Sequence, residues 1–133
     1  MFRILATTLL LSTMSLPALA ADAEPAMVAD SSVGKIWVDP NGMTLYTFEK
    51  DQVGKPSACT GECIAEWPPL LAGEGAMAMD EWTIVPVVDA DGATKQMWAY
   101  DGHPLYLFVE DTKAGDITGD NEDGFHVAKA DEE

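Results

Sequence analysis

Short apolar runs along this chain alternate with turn-forming residues. Lys-Ile-Trp-Val at 35–38 leads into Asp-Pro-Asn-Gly at 39–42, and Met-Thr-Leu-Tyr-Thr-Phe follows at 43–48. Two runs of strand length around such a turn predict a hairpin. Pro40 presets φ, and Gly42 supplies the positive φ that a type I turn with a bulge needs. Trp82–Val88 predicts a strand, and Pro86 places it at a sheet edge or a bulge. After the turn at 89–94, Lys95–Tyr100 and His103–Glu110 flank Asp101-Gly102, a strong two-residue hairpin signal. Gly124–Lys129 predicts a last short strand. Only Thr60–Trp67 has helical character, and Pro68-Pro69 stops it.

The pattern is written twice. Gly-Met-Thr-Leu-Tyr-Thr-Phe-Glu-Lys-Asp at 42–51 returns as Gly-His-Pro-Leu-Tyr-Leu-Phe-Val-Glu-Asp at 102–111. Lys35 then matches Lys95. Thr60-Gly61 and Thr118-Gly119 each precede an aromatic residue, Trp67 and Phe125, by the same interval. This predicts a mainly β fold: two repeated hairpin-plus-strand units forming a six-stranded antiparallel sheet or small barrel, with one short helix near 60–67. The repeats fall at about 33–88 and 93–130, within a single domain spanning 33–130. Because side chains alternate across a strand, Tyr46 and Phe48 share one face and Tyr106 and Phe108 another. Leu45, Thr47 and Glu49 lie opposite the first pair, Leu105, Leu107 and Val109 opposite the second. The first strand is therefore expected to have one wet face and the second to be buried on both.

Outside the domain the pattern changes. Residues 1–20 carry Arg3, an apolar run from Ile4 to Leu16, and a small-residue stop at Ala18-Leu19-Ala20, the order of a cleaved signal peptide. The run is shorter than a helix crossing the roughly 30 Å bilayer core requires. Residues 21–32 read as a flexible, acidic linker and 131–133 as an acidic tail. Periplasmic or secreted localisation follows, with no lipidation cysteine after the expected cleavage site. Beyond residue 20, six lysines stand against 23 acidic residues, a formal charge of −17. Such a polyanion is repelled by nucleic acid and anionic lipid, so nucleic-acid binding and membrane insertion of the mature chain are not expected. The charge itself serves solubility, or attracts a cationic partner or metal ions.

Few residues offer chemistry. Asp51 and Asp111 close the repeated strands, where a carboxylate can accept backbone N–H bonds or a tyrosine hydroxyl and fix the loop exit. The rival reading pairs Tyr and Asp as a ligand contact or cation site. Cys59 and Cys63, the only cysteines, read first as a disulfide in an oxidising compartment. A redox dithiol would favour Cys-x-x-Cys on a βαβ scaffold. A soft-metal site could add His103, His126, Met77 or Met79. Asp116 and Asp120, in the acidic loop 111–123, could contribute to a calcium site, although the spacing is not that of an EF-hand. Otherwise His103 reads as an exposed turn residue and His126 as a hydrogen-bonded structural histidine. Ser31, Ser32 and Ser57 are the only serines beyond residue 20, and none sits in a nucleophile elbow. No Gly-rich loop opens a helix to bind phosphate.

With its doubled Leu-Tyr-x-Phe-x-x-Asp, the segment at 58–71 and Ala-Gly-Asp-Ile-Thr-Gly-Asp at 114–120, the chain resembles the bacterial secreted-repeat lipoproteins. Their tandem Tyr-x-(Phe/Trp/Tyr)-x-x-Asp motif would correspond to Tyr46, Phe48, Asp51, Tyr106, Phe108 and Asp111. The resemblance implies an envelope protein and supplies no activity and no cofactor. The expectation is a non-enzymatic binding or scaffolding protein with an envelope partner or small ligand. The alternative is a metal-handling or redox-linked periplasmic protein using Cys59 and Cys63 with His126 or with Met77 and Met79.

Overall fold

The computed structural model describes residues 24–130 together with Ser12. The expected signal peptide at 1–20 and tail at 131–133 lie outside the described residues, Ser12 apart. Seven strands and one short helix follow one another: β1 Met27–Ser31, β2 Gly34–Val38, β3 Tyr46–Phe48, α1 Glu62–Glu66, β4 Trp82–Val88, β5 Thr94–Tyr100, β6 His103–Pro104 and β7 Phe125–Val127. The fold is mainly β, as the alternation predicted. The strands form three small antiparallel sheets, β1-β2, β3-β7 and β4-β5-β6, with no closed barrel among the described residues. The single six-stranded sheet is therefore corrected to three pieces joined by isolated backbone pairs.

Local turn chemistry places the hairpins where the sequence put them. Asp101 and Gly102 both have positive φ, 50° and 82°, the conformation that a two-residue turn between twisted strands requires. At Gly102 any Cβ would collide with Val53 and the backbone of Gly54. Asp39 Oδ1 accepts the N–H groups of Asn41 and Met43, both at 2.9 Å, which fixes the longer first turn. That turn contains one more residue than its counterpart. The structural mate of Trp37 is thus Trp98, and Lys35 matches Gln96 and not Lys95. Leu45 N–H bonds to the Trp37 carbonyl and Leu105 N–H to that of Trp98, at 3.0 and 3.1 Å.

The supposed flexible linker at 21–32 contains β1, which pairs with all of β2 from Met27↔Val38 to Ser31↔Gly34. No buried face marks it as a strand in the sequence, since Met27, Val28 and Asp30 are exposed and Ala29 and Ser31 only half-buried. Nor is Trp82–Val88 the return strand of the first repeat. It pairs with β5, from Trp82↔Tyr100 to Val88↔Thr94, and opens the second repeat as β1 opens the first. It is the sheet's edge, as Pro86 predicted.

The return segments are residues 67–71 and 125–129, and each crosses to the other repeat. Leu70 N–H bonds to the carbonyl of Leu105 and Ala128 N–H to that of Leu45, both at 2.9 Å. Trp98 N–H then bonds to Leu70 and Trp37 N–H to Ala128, at 2.8 and 2.9 Å. Between the two segments, the repeated strands meet at Tyr46 and Tyr106, which exchange N–H···O bonds of 2.8 and 2.9 Å. A two-fold correspondence passes through this pair.

Strand alternation sends side chains into two cores. Tyr46, Tyr106, Phe108, Trp67 and Phe125 share one with Ile36, Val85 and Met97. Leu45 and Leu105 enter the other, with Trp37, Trp98, Trp82, Ala26, Leu70 and Ala128. The expectation that the second repeated strand is buried on both faces fails beyond Leu105. Leu107 is half-buried against the tryptophan core and Val109 is 52% exposed, while Phe108 between them is buried in the other core, so only one face is fully covered there.

Candidate functional site

The repeated tyrosines and aspartates form two crossed nodes. Tyr46 OH donates to Asp111 Oδ2 and Tyr106 OH donates to Asp51 Oδ2, each at 2.6 Å. Every repeat thus supplies a tyrosine to the other's carboxylate. The second oxygen of each carboxylate holds its own loop: Asp51 Oδ1 accepts Ala58 N–H at 2.7 Å and Asp111 Oδ1 accepts Thr118 N–H at 2.9 Å. Both expected uses of these carboxylates, a turn N–H and a tyrosine hydroxyl, are realised together.

Burial raises the pKa of both tyrosines, and the carboxylate that accepts each proton raises it further. Asp51 is also pushed up, chiefly by desolvation, against the lowering from its bonds to Tyr106 and Ala58 and from nearby His103. The tyrosines are held as neutral donors, a state suited to positioning and poorly suited to nucleophilic or base chemistry.

The surroundings of the nodes differ. Ser57 Oγ lies 2.7 Å from Tyr106 OH, whose own proton goes to Asp51, and 2.9 Å from the Cys59 carbonyl oxygen, so the single serine proton has two acceptors within reach. Cys59 N–H in turn donates to Ser57 Oγ at 3.2 Å. Cys59 is fully buried and bonded to Cys63, so the cysteine pair is a disulfide and offers no free thiolate. At the other node, Thr118 Oγ1 donates to Asp111 Oδ1 at 2.6 Å and Gly119 N–H reaches Tyr46 OH at 3.3 Å. A Cβ on Gly119 would sit 2.6 Å from Trp67 and 2.9 Å from Phe108. Sequence reasoning assigned no role to Ser57. It did mark Thr118-Gly119 as a repeated pair, but not the bonds they make.

Between the nodes four rings stack in the order Phe48, Phe125, Trp67, Phe108. Their centroids are 4.3, 3.8 and 4.1 Å apart with interplanar angles of 8°, 5° and 22°. The two-fold exchanges Phe48 with Phe108 and Phe125 with Trp67, the pair predicted to be equivalent. Tyr46 meets Trp67 edge-on at 5.3 Å, and Tyr106 meets Phe125 edge-on at 5.2 Å. Rings in these arrangements contribute about 0.5–1.5 kcal/mol per pair beyond their buried area. Trp67 Nε1 is buried with no hydrogen-bond partner, so stacking and not its donor sets the ring's position.

The remaining candidates lie at the surface. A cleft of about 610 Å³ is lined in part by Trp37, Tyr100, Asp101, His103, Asp120 and His126. His126 bonds to Asn121 Oδ1 at 2.9 Å and to Glu49 Oε2 at 3.1 Å. His103 is exposed. Asp120 Oδ1 accepts Val127 N–H at 3.1 Å. Asp116 Oδ2 accepts the N–H groups of Thr112 and Lys113, at 2.9 and 3.2 Å, and these bonds, with that of Thr112 first, lower its pKa. Met77, 77% exposed, and Met79 belong to the segment between the repeats. The structure therefore gathers His103, His126 and Asp120 around one cleft and leaves Asp116, Met77 and Met79 outside its lining. Among the described residues, no three His, Cys, Asp or Glu side chains are placed to hold a metal ion.

Fold and nodes define a class: a duplicated β domain whose halves are interlocked by exchanged strands and crossed tyrosine–carboxylate bonds. The chain belongs to the family described as a secreted repeat of unknown function, whose family model matches twice, at residues 27–71 and 86–128. Those bounds run from strands β1 and β4 to the return segments, which agrees with the structural repeats. No curated protein and no solved structure matches the chain. No helix among the described residues is long and apolar enough to cross a membrane.

Proposed function

We propose that this chain is a non-enzymatic binding or scaffolding protein of the bacterial cell envelope, exported by cleavage after Ala20. One observation carries the reading. The residues with the most obvious chemistry, two tyrosines and two aspartates, are bonded to each other across the repeats. The disulfide likewise holds the loop beside one node. Function then falls to the surface, where the cleft beside Trp37 and Tyr100 offers carboxylates, imidazoles and an aromatic wall to a small ligand or a partner's side chain.

The test places a photo-crosslinking residue at His103 within the cleft, and at exposed Glu110 outside its lining as a control. Irradiated cells should yield an envelope adduct from position 103 and none from position 110. Equal labelling at both, or none at either, would overturn the binding reading. The mass of the purified protein, expected to begin at Ala21, checks the export step separately.

A further inference from the structure

The contacts that hold the two repeats together are non-covalent and reciprocal. The crossed nodes, the Tyr46–Tyr106 backbone pair, both return segments and the ring stack all join one repeat to the other. The sole disulfide closes a loop within the first repeat and staples nothing across the junction. The covalent connection between the halves is the segment at 72–81, which contains Gly73, Gly75 and exposed Met77.

We infer that a second copy of this chain can supply the complementary repeat, giving a dimer in which the first repeat of each chain closes on the second repeat of its partner. Every bond between repeats would form again between chains, so the two states differ mainly in the connecting segment and in association entropy. The bonds within that segment are few. Ala76 N–H meets the carbonyl of Gly73 at 3.0 Å, and Met79 and Trp82 exchange N–H···O bonds of 2.9 and 2.8 Å around Asp80, whose φ is 50°. Ala72, Ala76 and Met79 pack on the tryptophan core and favour the closed monomer when the protein is dilute. The formal charge of −17 opposes association, and added salt screens it.

The connecting segment must also cross a strand. Leu71 and Val85 both pair with Met97, from opposite sides of β5. They are therefore roughly 10 Å apart across the sheet, and Trp82 lies roughly 10 Å further along its strand. Deleting residues 73–81 leaves Ala72 alone to bridge Leu71 and Trp82, a reach of at most about 7 Å. That chain cannot close on itself and can only close on a partner.

Thr47 and His126 are opposed across β3 and β7, one in each repeat. The Cα separation of an antiparallel pair permits a disulfide. With Thr47→Cys and His126→Cys in the full chain, oxidation reports which molecule supplied the second repeat. Refolding at low concentration should give an intrachain bond and a monomer band on a non-reducing gel. Refolding at high concentration and high salt should turn the interchain dimer from a trace into a major band. The deletion variant should give the covalent dimer at both concentrations. A monomer band whatever the concentration would overturn the inference, as would a non-covalent dimer that yields only monomers after oxidation. If the deletion variant does not fold, the concentration series on the full-length chain decides.

Discussion

The two crossed nodes perform one task with different chemistry. Around Asp51, Ser57 and the Cys59–Cys63 bridge fix the loop. Around Asp111, the Thr118 side chain and backbone together with Gly119, pressed against Trp67 and Phe108, do so. The parts that touch the opposite repeat, the tyrosine, the carboxylate and the stacked rings, are alike in both halves. The groups that brace each tyrosine oxygen differ, a serine hydroxyl from Ser57 at Tyr106 and a backbone N–H from Gly119 at Tyr46. Rings and carboxylates must match the shape of the opposite repeat, whereas a tyrosine oxygen accepts any polar neighbour that the adjoining loop can bring to it.

The largest expected effect lies where the halves are most alike. Trp67→Ala and Phe125→Ala should each destabilise by about 3–5 kcal/mol, the usual range for removing a buried aromatic. Urea unfolding measures this. If one of the pair costs little, the stack is not a shared core.

Next come the nodes. Tyr46→Phe leaves Asp111 without its cross-repeat donor and should cost about 1–3 kcal/mol. Tyr106→Phe should fall in the same range, since Ser57 loses one partner but keeps the Cys59 carbonyl as an acceptor. A double-mutant cycle sharpens the comparison, because Tyr46→Phe should couple to Asp111→Asn and add independently to Asp51→Asn. Coupling to the aspartate of its own repeat would contradict the crossed arrangement.

The nodes also set an alkaline limit. Both tyrosine pKa values are raised in the folded state, so their contribution is complete below the unfolded value of about 10 and is lost as pH climbs beyond it. Tyr46 and Tyr106 should show tyrosinate absorbance only as the protein unfolds. Substituting both with Phe should flatten the pH dependence of stability above about pH 10.

Removing the disulfide with Cys59→Ser and Cys63→Ser should cost about 2 kcal/mol on the chain-entropy estimate for so short a loop. The loss should loosen the Asp51 node and spare the Asp111 node, which amide exchange at Ala58 and Thr118 distinguishes. Smallest of all, His126→Ala removes an exposed pair with Glu49 and should change stability by about 0.2–1 kcal/mol. A larger loss would mean that the cleft wall braces the return segment.

Much of this was legible in local sequence. Asp101-Gly102 and the turn around Pro40 carry their own conformational preferences, and the four-residue spacing of Cys59 and Cys63 suits a bridge in an oxidising compartment. The doubled Tyr-x-Phe-x-x-Asp announced that two strands would be equivalent, and the Thr-to-aromatic interval matched Trp67 with Phe125. Burial was harder to read. Val109 continues an apolar run and is nevertheless exposed, while β1 is a strand although none of its five residues is fully buried.

The sequence by itself determined the turns, the repeat and the residues that would carry it, because each depends on chemistry within a few positions along the chain. Only the tertiary structure decided that residues 67–71 and 125–129 would change sides and that each tyrosine would answer the other repeat's aspartate. A pairing within one repeat and the same pairing between repeats use identical residues. What separates them is where the chain can reach and which arrangement buries the four stacked rings.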